Sequence, residues 1–577
     1  MADQTARDLL AKHTEMEEDR RSAEAVWEIV ADFCDPDAPN QFRGHAEKER
    51  TSQAERGAVQ RGPKVYDNTI NSAANRLAAG LESLIIPQSE KWHGLTTAQM
   101  NDEETSEELE WAEGLRDFIF QDVRYLANSY FVPATQSVLR NIVRYGPAYL
   151  YSEEGFGGTL VRYASVPVAE AYIARDRWGN VDTFHRKYTR TARQCAQMFG
   201  YDKLPAKIRQ LVDDPQKQME KVSLLQCIKP RDERRVYRSG DRYTYLDAPF
   251  ASYHVIEQEE SIAKEGGFST FPVSVFNWRR YEGDTYGISP TIDALTTVRE
   301  VNAVRRDGLR LLQHASNPAL AYRARAGDVP PVLNPGEKYP GLMSEDGRLL
   351  IAPITTGDRP DLAFNYANER AEEIRDMLFV NLFQILIQNP QMTATEALIR
   401  QEEKGALLGP SGSVIQSGFA ANLDRELSIL EAKGLYDEGS RFLPPASLAG
   451  KSVKPVFTSP LDVLRRAAES RDADLVVQAA LQYAAASQDV SILDRIDGDE
   501  YLKIKKEASR APQRLLRTDE EVEEMRAARS KAQQSQQGMA AMQGMAKAAK
   551  DAVPALQQAR DSGMLQQLSA MQPQVQP

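Results

Sequence analysis

Residues able to do chemistry are plentiful in this chain, yet few of them stand at distances that would make a reacting set. The adjacent carboxylates Glu153-Glu154 and Asp213-Asp214 are of the kind that could hold divalent metal, and two such ions would suit a metal-dependent nuclease. In a chain with 83 acidic residues such pairs ordinarily belong to solvated surface. Neither Gly405 nor Gly409 is followed by Lys-Ser or Lys-Thr, so the loop that cradles nucleotide phosphates is missing. Gly409-Pro410-Ser411-Gly412 has its serine in the wrong order for a nucleophile elbow and reads as a flexible loop. Cys34, Cys195 and Cys227 are odd in number and far apart, which fits small buried hydrophobes rather than a disulfide framework or zinc finger. His13, His45, His93, His185, His254 and His314 stand singly and give no metal-binding spacing. No enzyme, metal or cofactor is expected.

One group of charged residues has a spacing worth following. Arg299, Arg305, Arg306 and Arg310 lie on a predicted helix that opens at Ser289-Pro290 and runs to Ser316, serine serving as cap and proline fitting the first turn. As a solvated face they would pair locally, Glu300 with Arg305 and Asp307 with Arg310. As a binding face they would meet passing phosphates.

The elements that position these residues can be read from periodicity. An N-terminal helix capped by Thr5 carries Leu9, His13, Met16, Arg20, Ala23, Trp27 and Val30 on one face and stops at Asp35-Pro36. A second helix spans Asn68 to about Ile86, where Ala73, Ala78, Ala79 and Gly80 permit close approach by a neighbour. Helical pattern returns from Asn101 to Tyr145. From Ala148 to Gly287 the chain is rich in Tyr, Val, Thr and Phe with Gly and Pro punctuation, which predicts strands. Residues Ala171–Ala174 and Val181–Phe184 should pair as a hairpin, and Thr191–Phe199 should form a short helix. A Pro/Gly-rich stretch from Asn317 to Pro360 separates the arginine-bearing helix from a second long helix, Asp361 to Gln388. This predicts an antiparallel helix pair holding a small module with short strands such as Arg348 to Ala352. Asn389-Pro390 breaks the second helix, and Thr393 with Glu396 caps the next. Glycines from Gly405 to Gly418 should interrupt or kink that helix before Phe419 to Lys433 resumes. Ser459-Pro460 opens another helix, and from Thr518 an Ala/Gln/Met-rich helix with a weak apolar stripe leads into a disordered end.

The fold class that follows is α+β, mainly helical. The 577 residues need more than one packed unit. The longest apolar run, Leu378 to Ile387, is too short to span a bilayer, where about 20 residues are needed, so no membrane anchoring is expected. Lys12, Glu17, Glu18 and Asp19 stand where the apolar run of a secretion signal would be. A net charge of −12 argues against coating nucleic acid by charge alone, but not against letting it slide past.

Several strings, taken in order, resemble bacteriophage head-to-tail connecting (portal) proteins of short-tailed, T7-like phages. They are Tyr66-Asp67-Asn68-Thr69, Ala78-Ala79-Gly80-Leu81-Glu82-Ser83, Pro87 to Trp92, Tyr145-Gly146-Pro147-Ala148, Val181-Asp182-Thr183 with Arg186, Lys229-Pro230-Arg231, Phe276-Asn277-Trp278-Arg279, Tyr286 to Pro290, Asn317-Pro318-Ala319-Leu320 and Met392 to Glu396. The resemblance implies a homo-oligomeric ring, typically of twelve subunits, at one capsid vertex, with double-stranded DNA passing through an axial channel during packaging and ejection. It implies an α+β wing over 1–287, β-rich from 148, and stem helices over 288–316 and 361–388. A small α/β clip would occupy 317–360, a tunnel-loop region 389–413, a helical wing or core 414–516, and a crown or barrel helix with its tail 517–577. Terminase, tail adaptor or tail tube, capsid and scaffolding proteins are the implied partners, and the virion, assembled in the host cytoplasm, the location. Candidates for the channel are Arg299, Arg305, Arg306 and Arg310. Those for the tunnel loop are Asn389, Pro390, Gln391 and Met392, or Gly409, Pro410, Ser411 and Gly412. A nuclease or a tail adaptor is the alternative.

Overall fold

Apolar spacing decides the first element, and it buries two polar side chains along with the rest. Helix α1 (Ala2–Cys34) turns Ala6, Leu9, Met16, Trp27, Val30 and Cys34 inward, and His13 and Arg20 are buried on the same face. The helix starts a turn before Thr5, so Thr5 is not its cap. Gln4 donates to Asp8 at 3.0 Å across the first turns. Arg20 is accommodated because its guanidinium donates to the carbonyls of Ala171 and Ala169 (2.7 and 3.0 Å) and lies 4.2 Å from the Tyr172 ring centroid. The computed structural model describes residues 2–34, 42, 65–97, 105–231, 244–322, 342–344, 346–354, 359–383, 394–437, 439–448, 453–458, 460–487, 490–509, 522–532, 535 and 542–543. The chain divides into two units, Met1–Thr97 with Trp111–Arg510, and Ala98–Glu110 with Ala511–Pro577. In the second, 106–110 and 522–532 are helical; the first holds everything that follows except the first five residues of the helix Ser106–Phe118.

Helix α2 (Thr69–Ile85) buries Ile70, Ala74, Leu77 and Leu81, and strand β1 (His93–Thr96) follows. Helix α3 (Ser106–Phe118) passes directly into a π-helical turn, Ile119–Arg124. The wider turn gathers Ile119, Phe120, Val123 and Arg124, all buried. Helix α4 (Phe131–Tyr145) then leads into strand β2 (Pro147–Glu154). At their junction Gly146 has φ +100°, and a Cβ there would lie 2.5 Å from the Gly287 carbonyl oxygen. Two glycines of the familiar strings therefore face each other across one close contact.

The strand-rich stretch forms two antiparallel sheets. Strands β2, β3 (Val161–Val166) and β9 (Val273–Asn277) make one, in the order β3-β2-β9. Strands β4 (Ala171–Arg175), β5 (Val181–Thr191), β6 (Lys221–Pro230), β7 (Phe250–Ile256) and β8 (Ser261–Phe268) make the other in chain order. The expected hairpin is present, with Ile173 opposite Phe184 and Ala174 opposite Thr183. One face of the larger sheet packs Leu225, Cys227 and Val255 against Ala6 and Leu9 of α1. The other packs Leu224, Val222 and Ile256 under α5 (Ala192–Phe199), whose capping box pairs Thr191 with Gln194, and α6 (Ala206–Asp213). All three cysteines are buried and unbridged.

Three expected helices change on folding. Ser289 caps α7 (Pro290–Asp293) by accepting from the Ile292 N–H, but the helix pauses at Ala294 before α8 (Leu295–Ser316). The pause is one residue deep, since Val298 still donates to the Ala294 carbonyl at 3.0 Å. After strands β10 (Leu320–Tyr322) and β11 (Ile351–Pro353), the helix expected over 361–388 breaks: α9 (Pro360–Met377) stops, Leu378-Phe379 turn with Phe379 at φ +56°, and 380–383 are helical again. Its apolar run is too continuous for one helix face. Leu378 and Val380 enter the core, Phe379 meets Trp278 at 6.2 Å, and the Phe383 ring fills the space above Gly80.

The glycines between Gly405 and Gly418 do not interrupt anything. Helix α10 (Ala394–Ala432) runs through them with Pro410 inside, so Gly409, Pro410, Ser411 and Gly412 are helical and not a loop. Leu408, Ile415, Phe419, Leu423 and Leu430 form an unbroken buried stripe, and that burial outweighs local breakers. Strand β12 (Lys454–Phe457) pairs with β1, and α11 (Pro460–Ser487) and α12 (Gly498–Ser509) follow. Residues 384–393, which include the cap at Thr393 and the candidates Asn389, Pro390, Gln391 and Met392, lie outside the described residues.

Two predictions follow from this packing. A Cβ at Gly418 would sit 2.5 Å from the Phe276 ring. Gly418→Ala should therefore lower unfolding stability by about 1–3 kcal/mol, read as a lower denaturant midpoint with an unchanged slope. The second concerns acid. Burial, reinforced by the neighbouring charges of His13, Lys12 and Lys229, pushes His185 down to about 3. Burial beside Lys264 and Arg186 pushes His254 down to about 4. Glu17 is held at about 2 by the His13 hydrogen bond, which together with Lys187 outweighs its burial. Each group binds its proton at higher pH when unfolded, so stability is complete above about pH 6.5 and is lost as pH falls toward these values. Urea midpoints should drop between pH 7 and 4, and His185→Gln should make that slope shallower by about 1.4 kcal/mol per pH unit.

Candidate functional site

Helices α8 and α9 lie side by side and antiparallel. Gly308 makes this possible: a Cβ there would stand 3.3 Å from the Ala363 Cβ and 3.6 Å from the Phe364 ring. Nearby, Arg305 Nη2 donates to Asn368 at 3.3 Å and the Tyr366 hydroxyl donates to Glu300. Ala367, Ala371 and Ile374 of α9 and Val301 of α8 are buried. At one end β10 and β11 join the pair, Ala321 opposite Ala352, three residues beyond the start expected for that strand. Met343 and Leu349 form a further bridge.

The four arginines do not act alike. Arg305 binds Asp67 at 2.9 Å, so its partner is not Glu300, as expected, but a carboxylate 238 positions earlier. Asp67 lies only 8% exposed and also accepts from the Thr69 amide and hydroxyl at 3.1 Å. Arg299, Arg306 and Arg310, spaced by seven and four residues, share a stripe on the side of α8 turned away from α9. Asp307 borders the stripe and takes Arg306 at 2.9 Å and Arg310 at 3.7 Å. The outward side of α9 has opposite character. Leu362, Asn365, Glu369, Glu372 and Asp376 are all exposed there, at separations of three and four. Apolar side chains are uncovered on both helices, Leu312 being 46% and Leu362 53% exposed.

The base of the pair is tied to the core. Asn302 accepts from the Tyr66 amide at 2.6 Å, and the Ser289 hydroxyl donates to the Arg144 carbonyl at 2.8 Å. Beyond it the long α10 is fixed by an ion pair that no sequence spacing foretold. Arg124 and Glu426 are both fully buried, with Nη2–Oε2 at 2.7 Å and Nε–Oε1 at 3.0 Å. Glu426 also accepts from the Tyr163 hydroxyl and the Asn422 amide, each at 2.6 Å, and Ser152 donates to Asn422 at 2.6 Å. The third arm of Arg124 reaches His93 Nε2 at 2.7 Å. A guanidinium can only donate, so His93 accepts there and carries its proton on Nδ1, 3.3 Å from the Gly94 carbonyl. Burial and the charge of Arg124 keep His93 well below the ordinary histidine range. Burial acts to lower Arg124, and Glu426 more than compensates, so its pKa is raised. The guanidinium is walled by Trp92, Phe120 and Phe131, 4.8 to 5.3 Å from their centroids. Among the described residues, no group of three or more His, Cys, Asp or Glu is placed to hold a metal ion.

Comparison with known proteins gives this arrangement a context. The family model described as bacteriophage head to tail connecting protein matches residues 6–516. The chain is 26% identical over 509 residues to a probable portal protein of Bordetella phage BPP-1, covering 87% of each. It is 25% identical over 467 residues to the portal protein of Salmonella phage epsilon15, covering 80% of each. A chain in a structure of the neck of an empty GTA particle, computed with C6 symmetry, matches with a TM-score of 0.37 and 13% identity, over 76% of this chain and 90% of that one.

Removing one partner of a buried ion pair strands the other in low dielectric. Arg124→Ala or Glu426→Ala should each cost about 3–5 kcal/mol. The paired change Arg124→Met with Glu426→Leu should cost less than either single alanine variant, as measured by chemical denaturation of all three.

Proposed function

The chain belongs to the bacteriophage head to tail connecting proteins, and from that premise we propose that copies of it close into a ring, typically of twelve, at one capsid vertex. Double-stranded DNA would pass along the axis during packaging and ejection. The single observation that carries the ring is the α8–α9 pair. Its outward faces leave Leu309, Leu312, Leu362 and Tyr366 substantially exposed, more apolar surface than one chain has reason to leave uncovered. A neighbour on each side covers it.

In this reading the pair is the stem, with β10 and β11 in the clip at its tip and residues 1–287 in the wing. The tunnel-loop region is 389–413, of which 394–413 are helical and 389–393 lie outside the described residues. Residues 414–516 form the helical core, and 517–577 supply the crown or barrel. The clip is where terminase docks during packaging and a tail adaptor or tail tube afterwards, while capsid and scaffolding proteins meet the wing. Among the described residues, no helix is long and apolar enough to cross a membrane. Assembly takes place in the host cytoplasm and the product is a virion component. An acidic chain suits such a channel, because like charge keeps phosphates from sticking. Of the four arginines expected around DNA, Arg305 is held by the largely buried Asp67, whereas Arg299, Arg306 and Arg310 stand on the outward stripe with only the exposed Asp307 beside the last two. The nuclease and tail-adaptor alternatives gain no support from the relatives.

Negative-stain images of the purified protein should show round particles with a central hole, and the particle mass should be near twelve times the 64.5 kDa of one chain. A chain that stays monomeric at high concentration overturns the proposal.

A further inference from the structure

An arginine stripe and a carboxylate stripe on the two outward sides of one helix pair have a consequence in a ring. A closed ring uses a heterologous contact, in which one side of each copy meets the opposite side of the next. We infer that adjacent copies are joined by charge, the Arg299, Arg306 and Arg310 stripe of α8 in one copy seating on the Glu369, Glu372 and Asp376 stripe of α9 in the next. This rests on the ring proposed above and names the contact that closes it.

The register within one chain fixes what would meet. Gly308 stands opposite Ala363 and Phe364, and Arg305 opposite Asn368. Counting outward from these pairs, Arg310 is level with Leu362, next to Asp361. Arg306 is level with Tyr366, three residues from Glu369, and Arg299 is level with Glu373, next to Glu372. At 1.5 Å per residue, these offsets are about 1.5 to 4.5 Å, within reach of an arginine side chain. With the pair standing along the ring axis, rotation keeps each residue at its height, so Arg299 and Arg306 of one copy meet Glu372 and Glu369 of the next, and Arg310 meets Asp361 at the edge of the stripe.

Three observations favour protein over DNA as the counter-charge. The charge balance is opposite on the two helices: α8 carries Arg299, Arg305, Arg306 and Arg310 against Glu300 and Asp307, whereas α9 carries Asp361, Glu369, Glu372, Glu373 and Asp376 against Arg370 and Arg375. Among the described residues, Arg299 and Glu369, exposed on opposite stripes, take part in no ion pair. Leu362 lies within the acidic stripe and Leu309 borders the basic one, and a phosphate backbone would not cover apolar side chains. The existing partners are no obstacle, since exposed local pairs such as Arg310–Asp307 at 3.7 Å contribute little and can exchange.

Full-length protein is the material for the test, and ring formation against protein concentration by mass photometry is the readout, at low and high sodium chloride. Arg299→Glu, Arg306→Glu and Arg310→Glu together, or Glu369→Lys, Glu372→Lys and Asp376→Lys together, should raise the concentration for half-assembly at least about tenfold at low salt. Both sets in one chain swap the two sides and should restore assembly, and mixing the two singly reversed proteins should give rings that contain both. Circular dichroism of each variant should match the parent, because every changed side chain is at the surface. Rings that form normally from either reversed protein, or a doubly reversed chain no better than the single sets, overturn the inference. Normal assembly together with loss of genome retention only in the arginine variant also overturns it and assigns the stripe to phosphates. Absence of rings from the unmodified protein overturns the ring itself, a failure distinct from rings that are indifferent to charge.

Discussion

The buried pairing of Arg124 with Glu426 is the interaction on which the arrangement of the larger unit turns. Two charges withdrawn from water are tolerated only when their hydrogen-bonding capacity is met, and meeting it takes residues from the π turn, β1, β3 and α10 at once. His93, Tyr163 and Asn422 each supply one contact. The requirement is geometric as well as energetic. An α10 shifted by one residue would turn Glu426 about 100° away from the guanidinium. The pair therefore sets the register of a 39-residue helix that hydrophobic contacts alone would leave freer to slide.

With α10 held, the remaining apolar residues have defined places. Gly418 lets the Phe276 ring approach, and Phe419 touches both Phe276 and Trp92. The base of the α8–α9 pair enters the same core through Leu378 and Val380. The pair's outward sides are a different matter. Their leucines stay uncovered within one chain, their ion pairs are exposed and local, and repetition around an axis is the economical way to cover the one and strengthen the other. Each weak contact is then made once per subunit, so a ring can be stable while every single pair contributes little.

Much of this was legible in the residues. The α1 face, the α2 apolar stripe, the β4–β5 hairpin, the short helix from Thr191 and the Ser289-Pro290 start are local signals, set by side-chain periodicity and by hydrogen bonds within a few positions. The misreadings have one source. Gly409-Pro410-Ser411-Gly412 reads as a loop because glycine and proline are poor helix formers, but the buried stripe from Leu408 to Leu430 outweighs that local preference. Asp361 to Gln388 reads as one helix because its apolar residues recur, but the core takes both Leu378 and Val380 and the helix breaks at Leu378-Phe379. Local spacing pairs Arg305 with Glu300 on its own helix, but Asp67 takes it in the folded chain.

Sequence by itself determined where most helices and strands begin, that the chain is α+β with a long helix pair around a Pro/Gly-rich stretch, and which family it resembles. These depend on spacing and on the order of short strings, which survive in one dimension. Tertiary structure alone decided that Arg124, Glu426, His93 and Tyr163 share one buried site, that Gly146 must admit the Gly287 carbonyl, and that Arg305 pairs with Asp67. Such facts arise from contacts between residues far apart in the chain. Their cause is the cost of leaving charge or apolar surface without a partner, and that cost exists only once the chain is folded.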